Sequence, residues 1–256
     1  CIRDRRKDDA GAEEYYRKAI AADPNHSRNV GNYASFLWNQ RKDDAGAEEY
    51  YRKAIANDSN NARNFGNYAN FLWSQRKDDA GAEEYYRKAI AVDPNDARNL
   101  GNYANFLWSR RKDDAGAEEY YRKAIAADPG GATHLGSYAN FLWSQRKDDA
   151  GAEEYYRRAI IADPNHARNL GNYATFLETQ RKDEAGAEEH YRKAIAADPN
   201  HATNLGNYAN FLADQRKDNV RAEAHYRKAI DADPGHAHNL CNYAQFLIGC
   251  GRFAEA

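Results

Sequence analysis

DARNLGNYANFLWSRRKDDAGAEEYYRKAIAADPG, residues 96–130, is the stretch that decides the fold. In its first half, Ala97–Ser109, the residues Leu100, Tyr103, Ala104 and Leu107 stand at offsets of 3, 4 and 7. That spacing draws one apolar stripe along a helix. The second half, Ala115–Ala127, carries a matching stripe at Ala117, Tyr121, Ala124 and Ile125. Glu118 precedes Arg122 and Glu119 precedes Lys123 by one helical turn, the favourable order, worth about 0.2–0.5 kcal/mol per pair. Asp113 or Asp114 can cap the second helix. Asp128-Pro129 ends it, because the residue before proline is pushed out of helical geometry. The segment reads as helix, short turn, helix, break.

The segment recurs. RKDDAGAEEYYRKAI stands unchanged at Arg6–Ile20, Arg41–Ile55, Arg76–Ile90 and Arg111–Ile125, and once more at Arg146–Ile160 with Arg158 for lysine. Tyr33, Tyr68, Tyr103, Tyr138, Tyr173, Tyr208 and Tyr243 follow one another at intervals of 35 residues. Helices this short are marginal in water unless they pack. A fixed period of this size therefore predicts a stacked array in which each unit buries its stripes against its neighbours.

At this point the residues resemble a family, the tetratricopeptide repeat (TPR), whose motif runs W-x2-L-G-x2-Y, then A-x3-F, then P. Leu100, Tyr103, Ala104 and Leu107 stand at the first four motif positions, Ala117 and Tyr121 at A-x3-F, and Pro129 at the closing proline. The resemblance covers essentially the whole chain. It implies an all-α, right-handed superhelical solenoid of antiparallel helix pairs, with the first helices lining a concave groove where peptides lie. Two departures stand out. The repeat carries one residue more than the family's 34, and we place it in the turn RKDDAGA. Ser59 replaces the inter-repeat proline once, which predicts a slightly looser joint but no broken helix. The ending GRFAEA, Gly251–Ala256, drops the added residue and resembles an ordinary member.

The boundaries expected are one array over 1–256. Residues 1–25 form a partial first repeat, in which Cys1–Arg5 close a truncated first-type helix and a lone second-type helix covers 9–22. Residues 26–235 form six full pairs, and 236–256 a partial last repeat. Both ends stop mid-repeat, and the chain holds no methionine, which suggests a piece of something longer.

Composition narrows the function. Charged residues make up 30% of the chain, yet the net charge is only −2. No bulk field therefore favours nucleic acid or an anionic membrane. No apolar run is long enough to span a bilayer. The three cysteines, Cys1, Cys241 and Cys250, make neither a disulfide framework nor a zinc pattern. His26, His166, His201 and His236 share one loop phase and lie a repeat apart, so no metal site is expected. Near-identical repeats offer no unique polar constellation of the kind catalysis requires. We expect no enzyme activity and no cofactor.

What varies between copies lies in the first helix. With the stripe inward, Arg98, Gly101, Asn102, Asn105, Trp108 and Ser109 point away from the core. Asn32, Asn67, Asn102, Asn172 and Asn207 recur along that row, beside Asn70, Asn105, Asn140 and Asn210. An amide side chain offers a donor and an acceptor, and can pair with an extended peptide backbone. The alternative is that these asparagines bridge helices or face water. Arg28, Arg63, Arg98 and Arg168 add positive charge suited to carboxylates. Trp38, Trp73, Trp108 and Trp143 could form a contact edge, or each could cover the next repeat's helix. Gly31, Gly66, Gly101 and Gly136 stand where the resemblance would put the lysine of a carboxylate clamp, which counts against a chaperone-tail adaptor. Asn25 and Asn57 open N-x-[S/T] sequons, candidate glycosylation sites if the chain is secreted. The expected function is a scaffold holding an extended protein segment in this groove. The alternatives are a structural array that associates end to end or laterally into a fibre, and the recruiting arm of an enzyme.

Overall fold

A computed structural model describes residues 2–252, with side chains described from residue 9. Aspartates open the second helix of each repeat: Asp113 accepts from the Gly116 N–H at 2.9 Å, and Asp43, Asp78, Asp148 and Asp183 do the same. Asp113, rather than Asp114, is thus the cap. Aspartate closes each, before proline everywhere but at Asp58-Ser59, as at Asp93, where the backbone turns extended.

The described residues form fourteen α-helices: α1 (Ile2–Ala22), α2 (Ser27–Phe36), α3 (Asp44–Asn57), α4 (Ala62–Phe71), α5 (Asp79–Val92), α6 (Ala97–Phe106), α7 (Asp114–Ala127), α8 (Ala132–Phe141), α9 (Asp149–Ala162), α10 (Ala167–Phe176), α11 (Glu184–Ala197), α12 (Ala202–Asp214), α13 (Asn219–Ala232) and α14 (Ala237–Gly249). They fall into two compact units, Cys1–Pro129 and Gly130–Ala256. In the first unit α2 packs on α3, α4 on α5 and α6 on α7, while α2, α4 and α6 also touch in succession. In the second, α8 pairs with α9, α10 with α11 and α12 with α13, and α8, α10, α12 and α14 touch in succession.

The stripes form the core. Ala47, Tyr51, Ala54, Ala82, Tyr86 and Ala89 are fully buried on the second helices. Tyr68, Ala69 and Leu72 face them from the first. Phe71, Phe106 and Phe176, which the stripe omitted, are fully buried as well. Each is the neighbour of the stripe leucine, and two successive helix positions can both face inward where helices approach from two sides.

The first helices run on past the expected end at Ser109. Leu37–Arg41, Leu72–Arg76, Leu107–Arg111, Leu142–Arg146 and Leu177–Arg181 each make a π-helical turn. Each is followed by a lysine in the left-handed region: Lys42, Lys77, Lys112, Lys147 and Lys182, with Lys217 after α12, have φ between 54° and 56°. A π-turn holds one more residue than an α-turn. The 35th residue therefore sits in LWSRR, not in RKDDAGA. After α12 the Arg216 N–H still reaches back five residues, to the Phe211 carbonyl at 3.3 Å. In the last repeat, which lacks the extra residue, Gly251 takes the positive φ, 76°, one position earlier in phase. Residues 253–256 of that ending lie outside the described residues.

The first repeat differs from expectation. Residues 2–22 form one continuous helix, α1, instead of a helix tail followed by a separate second-type helix. At Ser59 both flanking helices, α3 and α4, keep the usual bounds.

Candidate partner-binding face

The face that presents the row of asparagines is held by a joint the sequence pattern did not single out. Asn64, Asn99, Asn169, Asn204 and Asn239 are buried, at most 2% exposed. Each sends its side-chain N–H to a backbone carbonyl at the start of the preceding first helix. Asn99 donates to Ala62 at 3.1 Å, Asn169 to Ala132 at 2.8 Å, Asn204 to Ala167 at 2.9 Å and Asn239 to Ala202 at 2.9 Å. The amide lies flat against a glycine of that helix. A Cβ on Gly66 would stand 1.9 Å from Asn99 Oδ1, and one on Gly171 2.0 Å from Asn204 Oδ1. Gly31, Gly66, Gly136, Gly171 and Gly206, in the phase expected to point away from the core, are therefore buried, because the next helix comes too close for any side chain. The signal was present as a coincidence of phase: asparagine two residues before glycine in repeat after repeat.

On either side of this joint the candidate residues appear as two rows. In the first unit Asn32, Asn67 and Asn102, and in the second Asn172 and Asn207, are half-buried. Their amides make no hydrogen bond among the described residues. The neighbouring row is oriented. Asn105 Oδ1 accepts from the buried Tyr121 hydroxyl at 2.6 Å, and Asn70, Asn140 and Asn210 accept in the same way from Tyr86, Tyr156 and Tyr226. Burial pushes the Tyr86, Tyr121 and Tyr156 hydroxyls up, so they stay protonated and donate. Each oxygen is thereby fixed inward and each NH2 faces outward. Arg28, Arg63, Arg98 and Arg168 are exposed beside these rows. Arg98 lies 3.9 Å from Asp96, and the other three make no ion pair among the described residues.

Three of the tryptophans pack on the following repeat. Trp38 meets Phe71 edge-on with ring centroids 5.9 Å apart, Trp73 meets Phe106 at 6.0 Å and Trp143 meets Phe176 at 5.8 Å. All four tryptophans keep a partly exposed surface. Where the series stops, Glu178 takes the phase. Its carboxyl accepts from Tyr191 at 2.8 Å, and burial, with Asp214 nearby, pushes it above the usual carboxylate range.

The remaining site residues have structural partners. Asn57 donates its side-chain N–H to the Pro24 carbonyl at 2.9 Å, while Asn25 stands exposed in its loop. His26, His166, His201 and His236 cap first helices, each accepting through Nδ1 at 3.3 Å from the N–H three residues on. His190 and His225 stand in a tyrosine phase and are edge-on to Tyr173 and Tyr208, as Tyr50 and Tyr85 are to Tyr33 and Tyr68. No group of three histidine, cysteine or acidic side chains that could hold a metal occurs among the described residues.

The repeated fifteen residues also hold a latch. Glu48 accepts from Arg52 of its own helix at 2.7 Å and from Arg76 of the next repeat at 2.7 Å. Arg52 in turn reaches the Tyr68 hydroxyl at 3.1 Å. Although burial works against it, the pull of Arg76 and Arg52 holds the Glu48 carboxyl below its ordinary range. Glu13, Glu83, Glu153, Glu188 and Glu223 take the same part with Arg41, Arg111, Arg181, Arg216 and Arg252. Each copy thus gives its first arginine backward and its first glutamate forward.

With this geometry in view, the comparison with known proteins is direct. A tetratricopeptide repeat family model matches residues 8–62, 72–132, 117–167, 142–202 and 183–237. The chain belongs to the tetratricopeptide repeat family. Among solved structures it is similar to the human IFIT1 dimer with PPP-AAAA, at a TM-score of 0.78 and 18% identity over 95% of this chain and 60% of that one. It is also similar to PilF of Pseudomonas aeruginosa (TM-score 0.65, 21% identity, 93% of this chain and 99% of that one). Yeast Tom70 matches at a TM-score of 0.71 and 20% identity over 93% of this chain and 49% of that one. The chain spans about 60% of the length of the IFIT1 chains. These likenesses establish the fold. No curated protein matches the chain by sequence. TPR repeats are in general non-catalytic protein-interaction modules, and this chain has their repeat-scaffold fold. No helix among the described residues is long and apolar enough to cross a membrane.

Proposed function

We propose that the array binds an extended protein segment along its first-helix face, the backbone held by the asparagine rows and acidic side chains drawn by the arginines. The observation that carries this is the free amide row. Asn32, Asn67 and Asn102 in one unit, and Asn172 and Asn207 in the other, are half-buried on ordered helices and make no hydrogen bond among the described residues. A half-buried amide that no other side chain engages keeps its donor and acceptor available to a ligand, and an extended peptide uses both at regular spacing. The oriented NH2 groups of Asn70, Asn105, Asn140 and Asn210 add donors aimed at the same strip. Arg28, Arg63, Arg98 and Arg168 favour carboxylates on the ligand, since guanidinium pairs with them in a fixed fork.

The test uses fluorescein-labelled twelve-residue peptides, acidic and neutral, read by anisotropy against the full chain. Replacing Asn67, Asn102 and Asn172 by alanine removes no internal hydrogen bond, so the helical signal and unfolding midpoint stay put. Binding is expected to weaken at least tenfold. Acidic peptides are expected to bind more tightly than neutral ones at low salt. Unchanged binding by the triple variant would refute the proposal.

A further inference from the structure

One second helix carries an arginine where the others carry glycine. Gly46, Gly81, Gly116, Gly151 and Gly186 share the third position of a second helix, and in α13 that position is Arg221. Its guanidinium meets three side chains. It donates to the Tyr208 hydroxyl at 2.6 Å and to the Glu188 carboxylate at 3.5 Å. It also lies 3.4 Å from the Asp218 carboxylate, and its central carbon is 6.0 Å from the centre of the Tyr208 ring. The helix cap is kept, since Asp218 still accepts from the Arg221 N–H at 3.0 Å.

Where glycine stands, the same three acceptors line an open cleft. Glu83, Tyr103, Asp113 and Gly116 line one of ≈ 490 Å³, and Glu153, Tyr173, Asp183 and Gly186 one of ≈ 530 Å³. The first is bounded by α5, α6 and α7 inside one unit and the second by α9, α10 and α11 inside the other, so neither lies on a terminal helix. A third cleft, of ≈ 700 Å³, brings Glu13, Tyr33 and Asp43 together over Gly46. The charge changes in step. Glu119 lines the cleft over Tyr103 and Glu189 that over Tyr173, so three carboxylates face two arginines in each. In α13 the phase of Glu119 and Glu189 is held by Ala224. The copy that brings its own guanidinium has given up the additional carboxylate. The arginines already in a cleft do not bar another, because Glu188 takes Arg192 at 2.5 Å and Arg216 at 2.8 Å besides Arg221.

We propose that the glycine clefts are seats for arginine side chains of a partner protein. The occupant is argued from the chain itself: Arg221 shows which group the three acceptors hold when one is supplied. A tyrosine hydroxyl, a glutamate and an aspartate spread around one point suit a planar guanidinium, whose donors form a rigid fork that also lies against aromatic rings. A lysine ammonium is a point charge without that fork, so the seats favour arginine over lysine. Because the seat recurs with the repeat, a partner with several arginines gains avidity from engaging more than one. No residue of the asparagine rows lines a seat, so the proposal stands apart from the first-helix reading.

The probes are fluorescein-labelled hexa-arginine and hexa-lysine, equal in charge, read by anisotropy against the full chain at physiological salt. The parent is expected to bind hexa-arginine severalfold more tightly than hexa-lysine. Equal affinity for the two overturns the proposal without recourse to any variant. Gly46→Arg, Gly81→Arg, Gly116→Arg, Gly151→Arg and Gly186→Arg together give each seat the side chain that α13 already carries, and the helical signal is expected to match the parent. This sealed protein should bind hexa-arginine at least tenfold more weakly and lose the preference for it. The control places the same five charges in exposed inter-repeat loops, through Asn60→Arg, Asn95→Arg, Gly130→Arg, Asn165→Arg and Asn200→Arg. It should bind both peptides somewhat more weakly and keep the preference. A sealed protein that keeps the preference, or a control that loses it equally, refutes the seats.

Discussion

Gly66→Ala sets two well-known effects against each other. Glycine in a helix interior is about 1 kcal/mol less favourable than alanine, so propensity alone predicts stabilisation. The joint predicts the reverse. The new Cβ would stand 1.9 Å from Oδ1 and 2.8 Å from Cγ of Asn99. Asn99 is 1% exposed and cannot retreat without giving up its bond to Ala62. Losing that bond costs about 0.5–1.5 kcal/mol, and forcing an extra carbon into a packed interface costs about 1–3 kcal/mol. Set against the propensity gain, the variant should be less stable by roughly 1–3 kcal/mol. Asn99→Ala alone loses the bond and leaves a gap. The double variant places two small methyl groups face to face, so the pair should be less damaging than the sum of its parts by about 1–2 kcal/mol, well above the ~0.5 kcal/mol scatter of independent sites. The assay is urea unfolding followed by helical circular dichroism, with all four proteins fitted to one nearest-neighbour model, since repeat arrays need not unfold in a single step. If Gly66→Ala is as stable as the parent or more so, or the two changes add, the joint is not what fixes glycine here.

The other expectations follow from neighbouring features. Lys77→Gly should stabilise by about 0.5–1 kcal/mol, because a left-handed backbone costs a side-chain-bearing residue roughly 1–2 kcal/mol and glycine returns part of that as lost entropy; thermal unfolding checks it. Glu48→Gln breaks the latch to Arg52 and Arg76 and should cost about 1 kcal/mol in low salt. The difference from the parent should shrink in high salt, and a salt-independent loss would point to packing instead. Because the folded Glu48 carboxyl is held low, the parent's share of that stability is present above about pH 4.5 and lost as pH falls below it. Burial lowers the His201 imidazole, and its Nδ1 caps α12 only when unprotonated. Its contribution is therefore full above about pH 6.5 and fades as pH falls from there. His201→Asn, the residue that serves at Asn61, should flatten part of the drop in melting midpoint between neutral and mildly acidic pH.

The pair of helices was legible in residues 96–130 because burial, capping and termination all leave a mark at fixed spacing. Ala117, Tyr121 and Ala124 are in the core, Asp113 is the cap, and Glu118 pairs with Arg122 as its spacing requires. The joint was less legible because an asparagine facing a glycine and one facing water look alike on a helical wheel. Asn99 and Asn102 differ by three positions and belong to opposite environments. The π-turn was hidden for another reason. Counting residues reveals that one has been added but not where the hydrogen-bond register absorbs it, and the marker is an ordinary-looking lysine, Lys112, at positive φ. The candidate face was legible in its residue types. Which amides are free and which are fixed depended on where the Tyr86, Tyr121, Tyr156 and Tyr226 hydroxyls end, and no periodicity states that.

The latch has a consequence for how such a chain changes over generations. Its two halves, Arg76 and Glu48, belong to successive copies of one fifteen-residue stretch, so any copy can follow any other. Unequal exchange between two copies of the coding sequence removes or adds a whole period and leaves every remaining junction matched. Reach can then be inherited as a count: the array behaves as a ruler whose marks can be multiplied without being redrawn, and kin that differ in length would offer different spans of the same surface.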